Sequence, residues 1–391
     1  MIQAASVYTF EIDEPDAALA EIRRQLDQQL ALQKNTAGIL QCDPEFIESG
    51  VVAHICRELG FPIVGGTSAG QAVNAAVGDL MLTLLVLTSD DVEFSAARTS
   101  GLADDLFGAA ERSCQEAARS LAGPPKLIIA FPPLVDAYAG DWFVEAFERQ
   151  WPQIPVFGSQ AVDDAITTYD RCATVINGEA LPQEMTYLLV CGEAAPQFFV
   201  ATVPEESTIS ETGIITRAEG NLVHEISGMR AIDFFESLGL AENGVLRRGV
   251  DFIPFLMTIT DEDDGSQRPF VRALIRFHDR GSAICRGTMY EGASFTIGSN
   301  SGADVIAATM DTIRQVNRQQ RVQVALVFSC IVRRMTLGAD SQAELSQVRQ
   351  ALRSDIPFMM SYSGGEMTPT VISGERVVNR FHNFSFIVCL L

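Results

Sequence analysis

Gly66-Thr-Ser-Ala-Gly70 has the spacing of a nucleophile elbow, G-x-S-x-G, with Ser68 at its centre. An elbow needs a strand before the serine and a helix starting at once after it, so that the hydroxyl is held out on a sharp turn. The strand is present as Pro62-Ile-Val-Gly-Gly66. The following Gln71-Ala-Val-Asn-Ala-Ala-Val-Gly78 is short, ends in glycine and reads as a strand turning back. Small polar residues recur at matching places, in Gly158-Ser-Gln-Ala161 and Ser361-Tyr-Ser-Gly364. Thr67 and Ser68 therefore read as a structural or ligand-lining turn, with a serine hydrolase as the alternative.

A second group lies near the C-terminus. Phe328-Ser-Cys-Ile-Val-Arg-Arg334 closes an apolar strand, which sets Ser329, Cys330 and Arg333 near its carboxyl end, where open α/β sheets bind ligands. Gly364-Gly-Glu366 ends the next strand. An Arg and a Glu brought together there either clamp the two charges of a zwitterion or pair with each other, since a buried charge needs a partner. His382, in Arg380-Phe-His-Asn383 at the start of the last apolar strand, is either a hydrogen-bonded interior ring or a ligand-lining group. Cys330 is the nucleophile of a thiol-hydrolase alternative. No HExxH or His–Cys metal spacing occurs. Asp261-Glu-Asp-Asp264 lacks the later Glu of an EF-hand loop and reads as a solvated turn. The ligand-binding set is thus Ser329, Cys330, Arg333, Glu366, His382, Thr67 and Ser68. No residue is assigned to catalysis.

The elements that must position these residues follow one pattern used three times: an apolar strand, an amphipathic helix, a proline, a second strand, and a third strand later. The copies begin at Gly38-Ile-Leu-Gln-Cys42, Leu127-Ile-Ile-Ala-Phe131 and Ala325-Leu-Val-Phe-Ser329, and their prolines are Pro62, Pro155 and Pro357. Met81–Val86 and Met185–Val190 align without a gap. The fold class is α/β, with mixed, largely antiparallel sheets flanked by helices and a βαββ-type unit repeated three times. Strands that follow one another after each proline are expected to be antiparallel, because their connections are too short for crossovers. Residues 204–213 are polar and acidic and read as a linker. They divide the chain into 1–205, with an internal duplication, and 206–391. Gly213–Ala218 and Leu222–Ile226 read as a hairpin. Ser341-x-x-Glu344 has the spacing of a capping box.

The 391 residues carry a formal net charge of −22, which argues against nucleic-acid partners and against docking on anionic lipid. The hydrophobic share of 47% is enough for real cores. No apolar run approaches the roughly 18 residues of a membrane span. The eight Cys are scattered without a CxxC pair, and the N-terminus reads as a strand, so a reduced, cytoplasmic protein is expected. Nothing supplies an output module, because there is no P-loop, kinase signature or basic helix-turn-helix.

Several stretches, in order along the chain, resemble the FIST family of sensory modules. They are Phe61-Pro-Ile-Val-Gly-Gly-Thr-Ser-Ala-Gly70, Ile215-Thr-Arg-Ala-Glu-Gly-Asn-Leu-Val-His-Glu-Ile226, Ala325-Leu-Val-Phe-Ser-Cys330 with Arg333, Gly365-Glu366, and Phe381-His-Asn383. The resemblance implies an N-terminal and a C-terminal FIST domain at 1–205 and 206–391. It also implies non-catalytic sensing of a small ligand and signalling to a separate partner such as a histidine kinase. Amino acids are the ligands proposed for the family. Some stand-alone members bind haem for nitric-oxide sensing, which makes haem the candidate cofactor here, with His382 or else Cys330 as the axial donor, since neutral imidazole and thiolate both ligate iron; no other residue is assigned to a metal.

Overall fold

Three prolines set the frame. Each follows a helix and cannot extend it. The carbonyls of Pro62, Pro155 and Pro357 instead accept the backbone N–H of Gly38, Ile128 and Ala325 at 2.8, 2.9 and 3.0 Å. These bonds lock the strand after each proline alongside the strand before the helix. The computed structural model describes residues 1–135, 138–163, 170–203, 213–247, 249–250, 253–260, 267–278, 280–373 and 376–391. The expected linker, except Gly213, and the acidic turn Asp261–Asp264 lie outside the described residues.

The first segment contains β1 (Gln3–Thr9), α1 (Pro15–Gln29), β2 (Asn35–Cys42), α2 (Glu45–Glu48), α3 (Val51–Leu59), β3 (Ile63–Thr67), β4 (Gln71–Val73), β5 (Val77–Gly78) and β6 (Leu82–Ser89). The second contains β7 (Glu93–Arg98), α4 (Leu106–Ala118), β8 (Pro125–Phe131), α5 (Gly140–Gln150), β9 (Val156–Ser159), β10 (Thr174–Ile176), β11 (Glu179–Leu181) and β12 (Thr186–Cys191). The third opens with β13 (Gln197–Ala201) and is then interrupted. The interruption holds β14 (Gly213–Glu219), β15 (Leu222–Ile226), β16 (Met229–Arg230), α6 (Ala231–Ser237), β17 (Ala241–Glu242), β18 (Val245–Leu246), β19 (Phe255–Thr260), β20 (Gln267–Arg272), β21 (Leu274–Phe277), β22 (Ala283–Cys285) and β23 (Ser294–Ile297). The third segment resumes with α7 (Gly302–Val316), β24 (Ala325–Cys330), α8 (Ile331–Leu337), α9 (Ala343–Ala351), β25 (Phe358–Ser363), β26 (Glu366–Ser373), β27 (Arg376–His382) and β28 (Phe386–Leu390).

Three six-stranded sheets share one order and one set of senses. They run β1-β6-β2-β3-β10-β11, β7-β12-β8-β9-β26-β27 and β13-β28-β24-β25-β4-β5. The pairs β2–β3, β8–β9 and β24–β25 are parallel, and the other pairs within these sheets are antiparallel. Each sheet takes its last two strands from another segment. The hairpin β4–β5 leaves the first segment for the third sheet, β10–β11 leaves the second for the first, and β26–β27 leaves the third for the second. The strand after each post-proline strand therefore does not pair with it, contrary to expectation, because it crosses to a neighbouring sheet. Strand β13 at 197–201 pairs with β28, so the sheets run across the expected cut at residue 205.

Register settles which residues correspond. Val86 faces Gly38, and Leu189 faces Ile128. Thr83 thus corresponds to Thr186, one residue away from the gapless alignment. With side chains alternating along each strand, one face of every sheet enters a common core. It contains Ile39, Val64 and Leu85, Ile129, Phe157 and Leu188, and Leu326, Met359 and Cys389. The opposite faces pack on helices. Leu40 and Leu84 meet Ile22 and Ile55, Ile128 and Leu189 meet Phe143 and Phe147, and Val327 and Val388 share a cluster with Ile313 and Leu345.

The interruption forms its own eight-stranded sheet, in which β14 and β15 make the expected hairpin. Phe255 and Phe295 stack at 5.2 Å in its core. Arg272 anchors it to the second sheet. The guanidinium is 2% exposed and binds both Asp141 oxygens, at 3.0 and 3.1 Å, and the carbonyl of Phe381 at 3.1 Å.

Candidate functional site

One end of the common core is polar. Gln41 lies two residues beyond Ile39 on β2, and Ser361 two beyond Met359 on β25, so both face inward. Gln71 on β4 is the cross-strand partner of Ser361. The strands bring the three together: Ser361 Oγ donates to Gln41 Oε1 at 3.2 Å, and Gln71 Nε2 donates to Ser68 Oγ at 2.7 Å and to the Ser68 carbonyl at 3.2 Å. All four are buried. Gln41 stands where the other sheets carry Phe131 and Phe328, which meet edge to face at 6.1 Å. Gln41 Nε2 and Gln71 Oε1 have no hydrogen-bond partner among the described residues.

The third segment repeats this turn with an ionisable group. Glu366 occupies the place of Gln71, and Ser363 that of Ser68. Ser363 Oγ donates to Glu366 Oε1, and Ser385 Oγ donates to Oε2 at 2.6 Å. Burial pushes the Glu366 carboxyl up to about 8 against the pull of the Ser363 and Ser385 hydrogen bonds. It is therefore mostly protonated at neutral pH.

Arg333 does not clamp an open site. Its Nη2 and Nε bind Glu344 Oε1 at 2.7 and 3.2 Å, and Nη2 also binds the Val305 carbonyl at 3.0 Å and Thr309 Oγ1 at 2.6 Å. Ser329 Oγ donates to Glu344 Oε2 at 2.8 Å. Arg333 and Glu344 are 1% and 0% exposed. The Arg–Glu pair is thus an internal salt bridge, and Glu366 is not its partner. Glu344 is drawn into the core, so the spacing Ser341-x-x-Glu344 makes no capping box. The capping box is instead Ser301 with Asp304, at the start of α7.

Cys330 is buried, and its thiol is pushed well above its usual range by burial first and by Glu366 second. Such a thiol is a poor nucleophile, because the thiolate is the attacking form. Ser68 Oγ binds only the neutral Gln71 amide among the described residues, so no base is placed to take its proton. His382 faces Glu366 across β26 and β27. Burial, then Arg272 and Arg380, lower the imidazole to about 3, and it stays neutral. Its Nε2 has no hydrogen-bond partner among the described residues, which suits an axial donor. The remainder does not suit haem: the ring is 6% exposed between two strands and near two arginines. Thr67 Oγ1 accepts the N–H of Ala173 and holds β10 against β3. Three open cavities, of 620, 530 and 310 Å³, lie elsewhere on the surface, and none is lined by any of these residues.

The FIST N domain matches residues 36–229 and the FIST C domain matches residues 231–369. The chain belongs to the FIST family. FIST domains are sensory domains. The N-terminal FIST match ends inside the interruption, after β15, and not at residue 205. No curated protein matches the chain. No helix among the described residues is long and apolar enough to cross a membrane.

The structure sets Ser329 and Cys330 at the end of β24 in the third sheet, Arg333 on the following helix α8, and Glu366 at the start of β26 in the second sheet with His382 as its cross-strand partner, while Thr67 and Ser68 lie at the end of β3. The sequence pattern singled out neither Gln41 nor Gln71, and it read Glu344 as the acid of a capping box rather than as the partner of Arg333. Gln41 did carry a signal, being the one strongly polar residue inside Gly38-Ile-Leu-Gln-Cys42.

Proposed function

We propose that this FIST protein is a non-catalytic, cytoplasmic sensor of a small ligand and signals through a separate protein, such as a histidine kinase. One observation carries the reading. The first and third sheets meet in a buried polar layer in which Gln41 Nε2 and Gln71 Oε1 lack hydrogen-bond partners among the described residues. Native interiors satisfy nearly all buried polar groups, and a functional role is one accepted reason for an exception. The inert surroundings of Ser68 and Cys330 weigh against a hydrolase. Such a sensor acts by changing a partner's affinity between its free and bound forms.

A thermal-shift screen of the full chain tests the proposal. A ligand near 100 Kd is expected to stabilise the fold by about 2.7 kcal/mol, and variants of Gln41 and Gln71 should lose that response. Stoichiometric labelling of Ser68 or Cys330 by serine- or cysteine-directed probes would replace the sensor with an enzyme. With haem supplied during expression, no Soret band that depends on His382 is expected.

A further inference from the structure

We propose that the ligand held in this layer is uncharged and carries a hydrogen-bond acceptor and donor side by side, as a primary amide, lactam or urea does, and that Gln41 and Gln71 read those two groups. The inference rests on the sensor reading and adds the chemical class of what is sensed.

Orientation comes first. Gln71 Nε2 is fixed by the Ser68 carbonyl, which can only accept, so Oε1 is the free acceptor. Gln41 Oε1 accepts from the Ser361 hydroxyl at 3.2 Å, and Nε2 is left without a partner among the described residues. The two side chains are 2% and 0% exposed and are joined through Ser361, which bonds one and pairs across strands with the other. A donor and an acceptor left without partners on two side chains that share Ser361 are complementary to the two edges of a carboxamide.

Charge comes second. Arg333 is taken by Glu344, and Arg272 by Asp141. Glu366 is held by two serine hydroxyls. Among the described residues, none of these charged groups is left free to meet a carboxylate or an ammonium. A zwitterion entering the layer would lose its hydration without a counter-charge, and an ion buried unpaired is strongly disfavoured. A neutral amide loses far less and regains its hydrogen bonds.

Ligand-observed NMR on the full chain tests this with three probes of one skeleton: butyramide, butyrate and butylamine. Saturation transfer is expected to butyramide alone. Gln71→Met and Gln41→Met, which keep size and remove the polar ends, should each weaken it about tenfold, the effect of one lost hydrogen bond of roughly 1.4 kcal/mol. Two variants on different strands guard against one failing to fold, and a cooperative melt checks each. Transfer to butyrate or butylamine equal to that of butyramide overturns the proposal, as does butyramide binding unchanged in both variants or absent from the parent protein. If butyramide fails while a zwitterion raises the melting temperature in the general screen, this inference falls and the sensor reading stands. Silence across both experiments removes both.

Discussion

Glu344 and Arg333 illustrate how a buried charge is kept. Each is desolvated, and each finds the other together with hydroxyls and a backbone carbonyl. Removing one partner strands the other, so Arg333→Met or Glu344→Gln is expected to cost about 3–5 kcal/mol in urea unfolding. The double change Arg333→Met/Glu344→Leu should cost less than the two singles together, because no charge is left alone. Glu366 predicts a pH effect of definite sign. Its carboxyl moves from 4.5 to about 8 on folding, so the native state holds the extra proton between those values. This contribution to stability is complete below pH 4.5 and fades as pH rises through 8. Glu366→Gln, which mimics the protonated acid, should flatten the melting temperature between pH 6 and pH 9 and leave the variant the more stable at pH 9. His382 acts in the opposite sense: its pKa is lowered from 6.5 to about 3, so stability falls as pH drops below 6.5. Much of this was legible in the sequence as polar exceptions within apolar strands. The identity of the partners was not, because Arg333 meets Glu344 across a packed helix that local spacing does not reveal.

At the scale of elements, two of the three parallel strand pairs depend on glycine, at Gly65 and Gly158. A Cβ on Gly65 would lie 1.8 Å from the Leu40 carbonyl oxygen, and one on Gly158 would lie 1.9 Å from that of Ala130. The obstacle in both cases is backbone of the adjacent strand, which cannot swing aside. Gly65→Ala and Gly158→Ala should each lower the melting temperature sharply or abolish soluble expression. Gly302→Ala is the contrasting case. It stands in the first turn of α7, where a Cβ would meet Leu337 at an ordinary 3.4 Å. Alanine there should be neutral or stabilising by up to about 1 kcal/mol, read in the same melts. Strands and helices were largely legible because each apolar run has a clear period and a proline or glycine stop. Ser341-x-x-Glu344 misled because the spacing of a capping box is also met by a glutamate that turns inward. The alignment of Met81–Val86 with Met185–Val190 slipped by one because runs of leucine and valine score equally in either register, and only strand pairing fixes the face.

The whole molecule is tied together by exchange. Each sheet ends in a hairpin donated by another segment, and the donated strands are as short as Gln71–Val73 and Val77–Gly78. Such strands carry almost no periodic signal, which is why this interlocking was not legible in the sequence. Cutting the chain shows what this means physically. A fragment of residues 1–205 would keep β4 and β13 without β25 and β28, and would leave β9 uncovered by β26. The complement, 206–391, would have β26 without β9 and both edges of its central sheet bare. Unpaired edges next to an apolar face favour association over folding, and the common core needs all three sheets at once. Neither fragment is therefore expected to give a monomeric peak with a cooperative melt on its own. Co-expressed, the two should copurify as one complex that melts close to the intact chain. A stable, monomeric 1–205 with a sharp transition would show that the exchange is dispensable, and that the first two sheets hold a core without the third.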